Sequence, residues 1–470
     1  MGRRGRYHPP VEVEIEALGK KGVGIGEVER GPMVVRGAPP GSRVLAVPFK
    51  RKRGVWHARR AALVRPPEGY ERPRCAVFGL CGGCVLQELA LDAQRSAKHD
   101  MAVRAVRDGG GPRDALEGVV VHPVLGTASA YGYRNKVELS FGTRRFLSEA
   151  DHAAGVSHEG RFLGFHAPGR FDRVVDAQRC ELVSEAANAI VDTARRIVLT
   201  AEPPPYDAKA RTGGWRHLVI REGTATGQLL VAVHTTSEVP EVAMESLADA
   251  LLALRVEPAR VVGVVWVIWD GLADIAGGET RRVWGRDQFE ESLGGLTFEL
   301  SRTSFFQTST HGAEELYRVI GRALGEVETL VDLYCGVGSI GLYLRDQCTR
   351  IVGVELSEAA VVDARRSAVS NGVSHAEYRA GPVRENLEAV ACTSADGIVV
   401  DPPRAGLHPK VARYVAQVEA GVLVYVACSP ASLGRDVPVL SEGGWRMTDL
   451  WTVDLFPQTG HIEAVARFVR

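Results

Sequence analysis

The sequence predicts an α/β Rossmann-like domain with a mostly parallel sheet and an antiparallel edge hairpin, preceded by an N-terminal OB-like β-barrel and a β-rich central domain. Three patterns predict this. Short strand-like runs fill roughly the first 60 residues, alternating β patterns continue to about residue 300, and strands then alternate with amphipathic helices. We assign 1–66 to the barrel, 67–300 to the central domain and 301–470 to the α/β domain, and expect a helix at about 86–106 to pack on the last.

The predicted barrel is strongly cationic. Residues 1–74 hold 17 Lys and Arg against seven acidic residues, whereas the whole chain has 57 of each. The run Lys50-Arg51-Lys52-Arg53 lies close to Trp56, so cations for phosphate and a ring for base stacking occur together. This pattern favours a polyanionic partner, and the alternative is a solvated basic tail.

Cysteines cluster directly after the barrel. Cys75, Cys81 and Cys84 lie within ten residues, and Cys180 can supply a fourth thiolate across the fold. Four cysteine sulfurs suit either a tetrahedral zinc ion or an iron-sulfur cluster, and spacing alone does not choose between them.

A glycine-rich loop follows the strand predicted at 329–334. Gly336 and Gly338 allow close approach to a ligand at a helix start, and Glu355, at the end of the next strand, can accept hydrogen bonds from ribose hydroxyls. A ribose-containing cofactor is therefore predicted. The same Gly336-x-Gly338-x-x-Gly341 spacing fits an NAD-dependent oxidoreductase.

Two further strands end in reactive groups, Asp401 and Cys428. The carboxyl ends of parallel strands share one edge of a sheet, so both should lie there with Tyr334 and Glu355. Ser429-Pro430 is typical of a helix start, whose positive end favours a nucleophilic Cys428 thiolate. Glu463, early in the second strand of a predicted terminal hairpin, would face Cys428 as a general base.

The longest apolar run covers residues 261–269, far short of the roughly 20 that a membrane helix needs. The amino terminus has positive charge without the apolar stretch of a secretory signal. We expect a cytoplasmic monomer with no membrane association.

Four motifs together resemble one family. They are residues 332–339 (DLYCGVGS), 401–406 (DPPRAG), 428–436 (CSPASLGRD) and 456–463 (FPQTGHIE). In this order they resemble the RNA uracil-C5 methyltransferases that use S-adenosylmethionine. The basic barrel is similar to that family's TRAM domain, so the resemblance covers nearly the whole chain.

The resemblance implies a reaction at C5 of a uridine in RNA. Cys428 would add to C6 of the ring, the activated C5 would accept the methyl group, and Glu463 would remove the C5 proton. Phe305 falls on a position that could stack on the target base, and Arg134 and Lys136 belong to a basic segment that could contact RNA. The implied cofactor-binding positions, with Ser339 standing where many members have Asn, are Gln307, Tyr334, Ser339, Glu355 and Asp401.

The resemblance also bears on the metal and the substrate. It favours a [4Fe-4S] cluster over zinc on Cys75, Cys81, Cys84 and Cys180, with a structural or RNA-orienting role. The match is best to bacterial enzymes acting on 23S ribosomal RNA, because transfer-RNA members of many bacteria lack the barrel and the cysteine cluster. A transfer-RNA enzyme of the same family is the alternative.

Three other classes compete with this interpretation. A cytosine-C5 RNA methyltransferase typically has its cysteine next to the Asp-Pro motif, and residues 401–404 have none there. An NAD-dependent oxidoreductase would leave Cys428 and Glu463 unexplained. A non-catalytic RNA-binding factor would need only the barrel and the metal module.

Overall fold

The structure, a computed structural model, describes residues 8–110, 114–386 and 395–470. Arg3, Arg4 and Arg6 of the predicted basic barrel therefore lie outside the described residues. The chain forms two compact units. The first comprises the described parts of 1–73, 84–130 and 311–470, and the second comprises 74–83 and 131–310.

The N-terminal β module, residues 11–65, is a six-stranded sheet in the order β1-β5-β6-β4-β3-β2. Alternation of apolar and polar residues buries Val13, Val35 and Val44 in a small core and leaves charged side chains outside. A 3-10 turn at Lys20–Gly22 joins β2 to β3. The strands are β1 (Val11–Glu14), β2 (Ala17–Gly19), β3 (Val23–Val28), β4 (Gly31–Arg36), β5 (Arg43–Lys52) and β6 (Val55–Arg65).

Helix α1, Leu91–Gly109, also belongs to the first unit, and buries Gln94, Lys98, Ala102 and Val106. Two short strands follow it, β7 (Val120–Val121) and β8 (Leu125–Gly126).

The second unit is built on a seven-stranded sheet in the order β11-β10-β9-β12-β13-β14-β15, beside a separate β16-β17 hairpin. Apolar faces of α3 and α4 pack on it; Ser184 caps α3 by accepting from the Ala187 N–H at 3.0 Å. Its elements are β9 (Lys136–Arg144), α2 (Glu149–Ala153), β10 (Glu159–Ala167), β11 (Arg170–Val175), α3 (Glu185–Val198), β12 (Trp215–Gly223), β13 (Gln228–Thr235), α4 (Glu241–Leu252), β14 (Arg260–Ile268), β15 (Glu279–Gly285), β16 (Gln288–Leu293) and β17 (Leu296–Ser301).

The boundary between the units lies between Thr310 and His311, and the α/β part of the first unit follows it. Its sheet has the order β20-β19-β18-β21-β22-β24-β23-β7, with β8 also pairing with β23. The elements are α5 (Thr310–Leu324), β18 (Val327–Leu333), α6 (Ser339–Tyr343), a 3-10 turn (Arg345–Gln347), β19 (Cys348–Glu355), α7 (Glu358–Ser370), β20 (Ala376–Ala380), β21 (Gly397–Val400), α8 (Pro409–Gln417), β22 (Val422–Ala427), α9 (Pro430–Glu442), β23 (Arg446–Asp454) and β24 (Glu463–Val469).

Strand direction follows the predicted pattern. The five strands from β20 to β22 are mutually parallel. Strand β24 continues the sheet antiparallel to them, and β23 pairs antiparallel with β24 to complete the hairpin. The predicted fold class is thus confirmed. No helix in the described parts of the chain is both long and apolar enough to cross a bilayer.

Candidate active site

The parallel strands bring four predicted site residues to one edge of the sheet. Tyr334 follows β18, Glu355 ends β19, Asp401 follows β21 and Cys428 follows β22. Parallel pairing of these strands puts all four carboxyl ends on the same side.

The glycine loop is fixed around Glu355. The Gly336 N–H donates to Glu355 Oε2 at 3.1 Å, and the Ser357 N–H donates to Oε1 at 2.9 Å. Tyr334, Gly336 and Gly338 have φ values of 68°, 55° and 74°, so the chain reverses tightly after β18. Glu355 stays partly exposed, and each of its oxygens can accept a second hydrogen bond.

Asp332 lies beneath this loop, fully buried. Its Oδ2 accepts the Gly341 N–H at 3.2 Å, while its Oδ1 has no hydrogen-bond partner. Burial raises the pKa of Asp332 to about 7. An orphaned buried oxygen under a loop of positive φ suits a site built for a polar, ribose-bearing ligand.

Ser339 is already engaged. Its hydroxyl lies 2.7 Å from the Tyr317 hydroxyl, and only 8% of its surface is exposed. A hydrogen bond from Ser339 to a cofactor would therefore have to share or replace the one with Tyr317.

Cys428 and Glu463 occupy neighbouring ends of adjacent strands. Ala427 of β22 pairs with Ala464 of β24, so the residue after one and the residue before the other are next in register. Burial, with the charges of Glu463 and Asp401, raises the pKa of the Cys428 thiol to about 11, and Arg404 opposes the rise. Burial raises the pKa of Glu463 to about 8.

These values modify the expectation that the helix end favours a thiolate. Ser429 does occupy the N-cap of α9 with Pro430 in the first turn, but the serine side chain makes no capping hydrogen bond. Desolvation and the charges of Glu463 and Asp401 raise the pKa of Cys428, which favours the thiol over the expected thiolate.

Arg404 is a further site residue. It belongs to the 401–406 motif, but no role was assigned to it from the sequence. It lowers the pKa of both Cys428 and Glu463, because a cation favours each anion. Burial also raises the pKa of the Asp401 carboxyl, to about 7. The position of Arg404 directly after Asp401-Pro-Pro was the available signal.

The motif around Arg435 and Asp436 holds the Asp401 loop. Asp436 Oδ2 accepts both the Leu407 N–H and the Tyr425 hydroxyl at 2.8 Å, and Arg435 donates to the Ala405 carbonyl at 2.6 Å. Cys428 thus lies just before the N-cap of α9, and the same helix holds the loop of Arg404 about two turns further on.

Phe305, Gln307, Arg134 and Lys136 belong to the second unit. Phe305 is 66% exposed, which leaves its ring available for stacking. The Gln307 carbonyl accepts a hydrogen bond from Asn135 at 3.0 Å. Arg134 donates to the Lys136 carbonyl at 2.8 Å, and burial lowers the pKa of Lys136.

The predicted cysteine ligands fall on both units. Cys75, Cys81 and Cys180 are in the second unit and Cys84 is in the first. Burial raises the pKa of Cys75, and the charges of Cys81 and Cys180 add to the rise. Within the described ranges, no group of three or more His, Cys, Asp or Glu is arranged to hold a metal ion.

The comparisons with known proteins now bear on this geometry. Residues 384–468, which include Cys428 and Glu463, match the family model described as tRNA (Uracil-5-)-methyltransferase, and residues 311–418 match the methyltransferase small domain. An uncharacterized RNA methyltransferase of Chlorobaculum tepidum is 36% identical over 467 residues, covering 97% of this chain and 94% of the relative. Another, from Caldanaerobacter subterraneus, is 33% identical and covers 97% of both chains.

The chain belongs to the RNA uracil-5-methyltransferase family. It is an S-adenosylmethionine-dependent enzyme that modifies RNA, and the predicted family is confirmed. The NAD-dependent oxidoreductase is accordingly set aside, although the glycine spacing allowed it.

A solved structure shows the same fold over the full length. The tRNA (uracil-54, C5)-methyltransferase of Pyrococcus abyssi, in complex with S-adenosyl-L-homocysteine, superposes with a TM-score of 0.75 at 24% identity. The match covers 98% of this RNA methyltransferase and 100% of the archaeal chain, so the two proteins share a fold.

Proposed function

We propose that this enzyme methylates C5 of a uridine in 23S ribosomal RNA, with Cys428 as nucleophile and Glu463 as general base. The observation that carries the proposal is the pairing of Ala427 with Ala464, which sets a thiol and a carboxyl side by side at the edge where the cofactor loop ends. We expect the reaction to occur in the cytoplasm and the enzyme to act as a monomer.

The residues of the glycine loop fit the cofactor. Glu355 offers acceptors for two ribose hydroxyls, and Gly336 and Gly338 let the backbone approach the ligand. S-Adenosylmethionine supplies an electrophilic methyl group attached to a positively charged sulfur. We assign Tyr334, Asp401, Ser339 and Gln307 to further contacts with it.

Cys428 begins the reaction on the uracil ring. Its thiol releases the proton to solvent and the sulfur adds to C6, which moves the electrons of the C5–C6 double bond towards C5. C5 then bonds to the methyl group as the bond between that methyl group and the donor's sulfur breaks. Glu463 then takes the C5 proton; the C5–H electrons restore the C5–C6 double bond and the C6–S bond breaks. Arg404 favours the ionised forms that Cys428 and Glu463 need.

Two variants test the assignment of roles. Cys428→Ala should abolish methyl transfer while S-adenosylmethionine affinity, measured by calorimetry, persists. Glu463→Gln should accumulate a covalent RNA adduct on denaturing gels, because methylation precedes the blocked proton removal. Comparable methylation by Cys428→Ala, or normal turnover without adduct in Glu463→Gln, would contradict these roles.

Transfer RNA is the second candidate substrate. The matching family model is named for transfer RNA, and the Pyrococcus abyssi enzyme that shares the full-length fold is a transfer-RNA enzyme. Possession of the N-terminal β module therefore does not by itself favour ribosomal RNA. Mass-spectrometric mapping of 5-methyluridine in both RNAs from a deletion strain should show one position lost, in 23S ribosomal RNA if the first proposal holds.

A [4Fe-4S] cluster is proposed on Cys75, Cys81, Cys84 and Cys180. The charges of Cys81 and Cys180 that act on the Cys75 thiol support it, as does the Gly83 N–H that donates to Cys81 Sγ at 3.4 Å, a contact that suits thiolate ligands. Anaerobic purification with iron, sulfide and zinc analysis should yield about four iron atoms per chain. Zinc without iron would contradict the choice of metal.

A further inference from the structure

A cavity of about 270 Å³ opens beside Cys428 and lies wholly within the first unit. Its walls come from five segments that are distant in sequence: the Lys20–Gly22 turn with its flanking strands, the second half of α1, the loop of Arg404, the chain around Cys428 and the loop of Ile462. This volume is near the lower end for small-ligand pockets, about 300 Å³. The cavity therefore suits a group of nucleotide size rather than a peptide.

The lining combines apolar and cationic side chains. Among the described lining residues, the acid is Asp108, against four cations. The larger apolar members are Leu18, Ile25, Met101 and Ile462, and the cationic members are Lys20, Lys21, Arg104 and Arg404. Apolar surface next to several cations matches a nucleotide, which presents a flat base at one end and phosphate at the other.

The β module is fixed in place at this cavity. A Cβ added to Gly460 would lie 2.5 Å from the Gly22 backbone nitrogen, so the two backbones are in direct contact. Arg104 of α1 donates to the Leu18 carbonyl at 2.8 Å. Contacts of backbone on backbone leave little room to adjust, and the cavity is therefore formed before RNA arrives.

Lys20 and Lys21 differ from the other cations of the cavity. Both are exposed, and Arg104 is half-buried and bonded to Leu18. Arg404 is also exposed but interacts with the Cys428 thiol, which leaves the two lysines for a phosphate that enters from solvent.

We propose that this cavity holds the nucleotide next to the target uridine, with its phosphate on Lys20 and Lys21 and its base on the apolar wall of Leu18 and Ile462. The inference rests on the proposed function. It makes the β module part of the active site rather than a remote anchor for RNA. A second splayed base beside the target fits the way proteins read single-stranded RNA.

Protection of Cys428 tests the proposal without relying on activity. The probe is the trinucleotide UpUpU, and the readout is iodoacetamide labelling of the Cys428 peptide by mass spectrometry. Lys20→Gln/Lys21→Gln should need about tenfold more UpUpU for half protection. A plot of the logarithm of UpUpU affinity against the logarithm of salt concentration should also be shallower for this variant. The slope should differ by roughly 1.4, which corresponds to two phosphate contacts on a single strand.

Lys410→Gln/Arg413→Gln is the matched control. It removes the same charge from exposed residues of α8, in the same unit, that do not line the cavity. UpUpU should protect Cys428 of the control variant as well as it protects the wild type. Equal loss in both variants, no loss in the Lys20/Lys21 variant, or no protection of the wild type by UpUpU would each overturn the proposal.

A separate assay distinguishes failure of the proposed function. Wild-type enzyme is incubated with total RNA from the deletion strain and labelled S-adenosylmethionine. If the wild type incorporates methyl groups but UpUpU protects Cys428 of the Lys20/Lys21 variant as well as it protects the wild type, only the cavity assignment is refuted. Absence of incorporation refutes the proposed function, and the inference with it. All variants should keep the wild-type melting temperature, because the four substituted side chains are exposed.

Discussion

Lys98 Nζ lies 2.8 Å from Asp454 Oδ1, and neither side chain is exposed to solvent. The same ammonium donates to the Phe456 carbonyl at 2.9 Å. Helix α1 is thereby joined to the turn of the β23–β24 hairpin, whose second strand begins with Glu463. A buried ion pair of this kind is costly to break and fixes the geometry of the chain it ties.

Gln94, one turn earlier on α1, reinforces this connection. Its amide donates to Gln458 Oε1 at 3.0 Å and its Oε1 accepts the Gln458 N–H at 2.8 Å. Gln458 has a φ of 70°, an uncommon conformation for a residue other than glycine. The turn before Glu463 is thus held by side chains of α1 rather than by its own backbone alone.

We predict that Lys98→Met loses about 3 to 5 kcal/mol of unfolding free energy, because it leaves the Asp454 carboxylate buried without its cation. Turnover should also fall, with KM for RNA nearly unchanged, because Glu463 loses its fixed position. Urea denaturation and steady-state kinetics measure both. Lys98→Met/Asp454→Asn should recover much of the stability, and a double variant no more stable than the single one would contradict this account.

Labelling of Cys428 should depend steeply on pH. With the thiol pKa raised to about 11, the rate of alkylation by iodoacetamide in the RNA-free enzyme should rise about tenfold per pH unit between 7 and 10. Glu463→Gln should react faster, because an acid that raises this pKa is gone. A rate that levels off near pH 8 would indicate an activated thiolate instead.

Glu463 should make the ligand-free enzyme less stable as pH rises. Its folded pKa of about 8 lies above the ordinary value of 4.5, so between these values the folded state holds a proton that the unfolded state releases. Stability therefore falls through this window by at most about 1.4 kcal/mol per pH unit. Glu463→Gln should show a flatter profile in urea melts from pH 5 to 8; parallel profiles would refute the raised pKa.

Gly460→Ala should destabilise the first unit by about 1 to 3 kcal/mol, because its Cβ would meet the Gly22 backbone at 2.5 Å and backbone cannot move aside cheaply. Gly421→Ala is the control, since its Cβ would meet the nearest atom, the Asp396 carbonyl oxygen, at 3.7 Å. Thermal denaturation compares them. Equal melting temperatures for the two variants would show that the β module is not held tightly at Gly460.

Local sequence pattern was sufficient for the sheet and its functional edge. Buried strands ending in Tyr334, Glu355, Asp401 and Cys428 could be recognised one at a time, and the shared direction of parallel strands then required their ends to meet. The terminal hairpin placed Glu463 at that edge for the same reason.

Protonation could not be inferred in this way. The helix start at Ser429 suggested a thiolate, but the state of Cys428 depends on burial and on Glu463, Asp401 and Arg404, which come from other segments. A pKa sums contributions over every group nearby in space, and only the folded chain defines that set.

The sequence by itself determined the class of fold, the family and the residues at the carboxyl ends of the parallel strands, since each depends on short motifs and on strand direction. Only the tertiary structure decided that Lys98 pairs with Asp454, 356 positions away, and that the Lys20–Gly22 turn closes on Gly460 beside Cys428. Such contacts depend on which surfaces fit when distant segments pack, and a linear pattern of residue types does not record that fit.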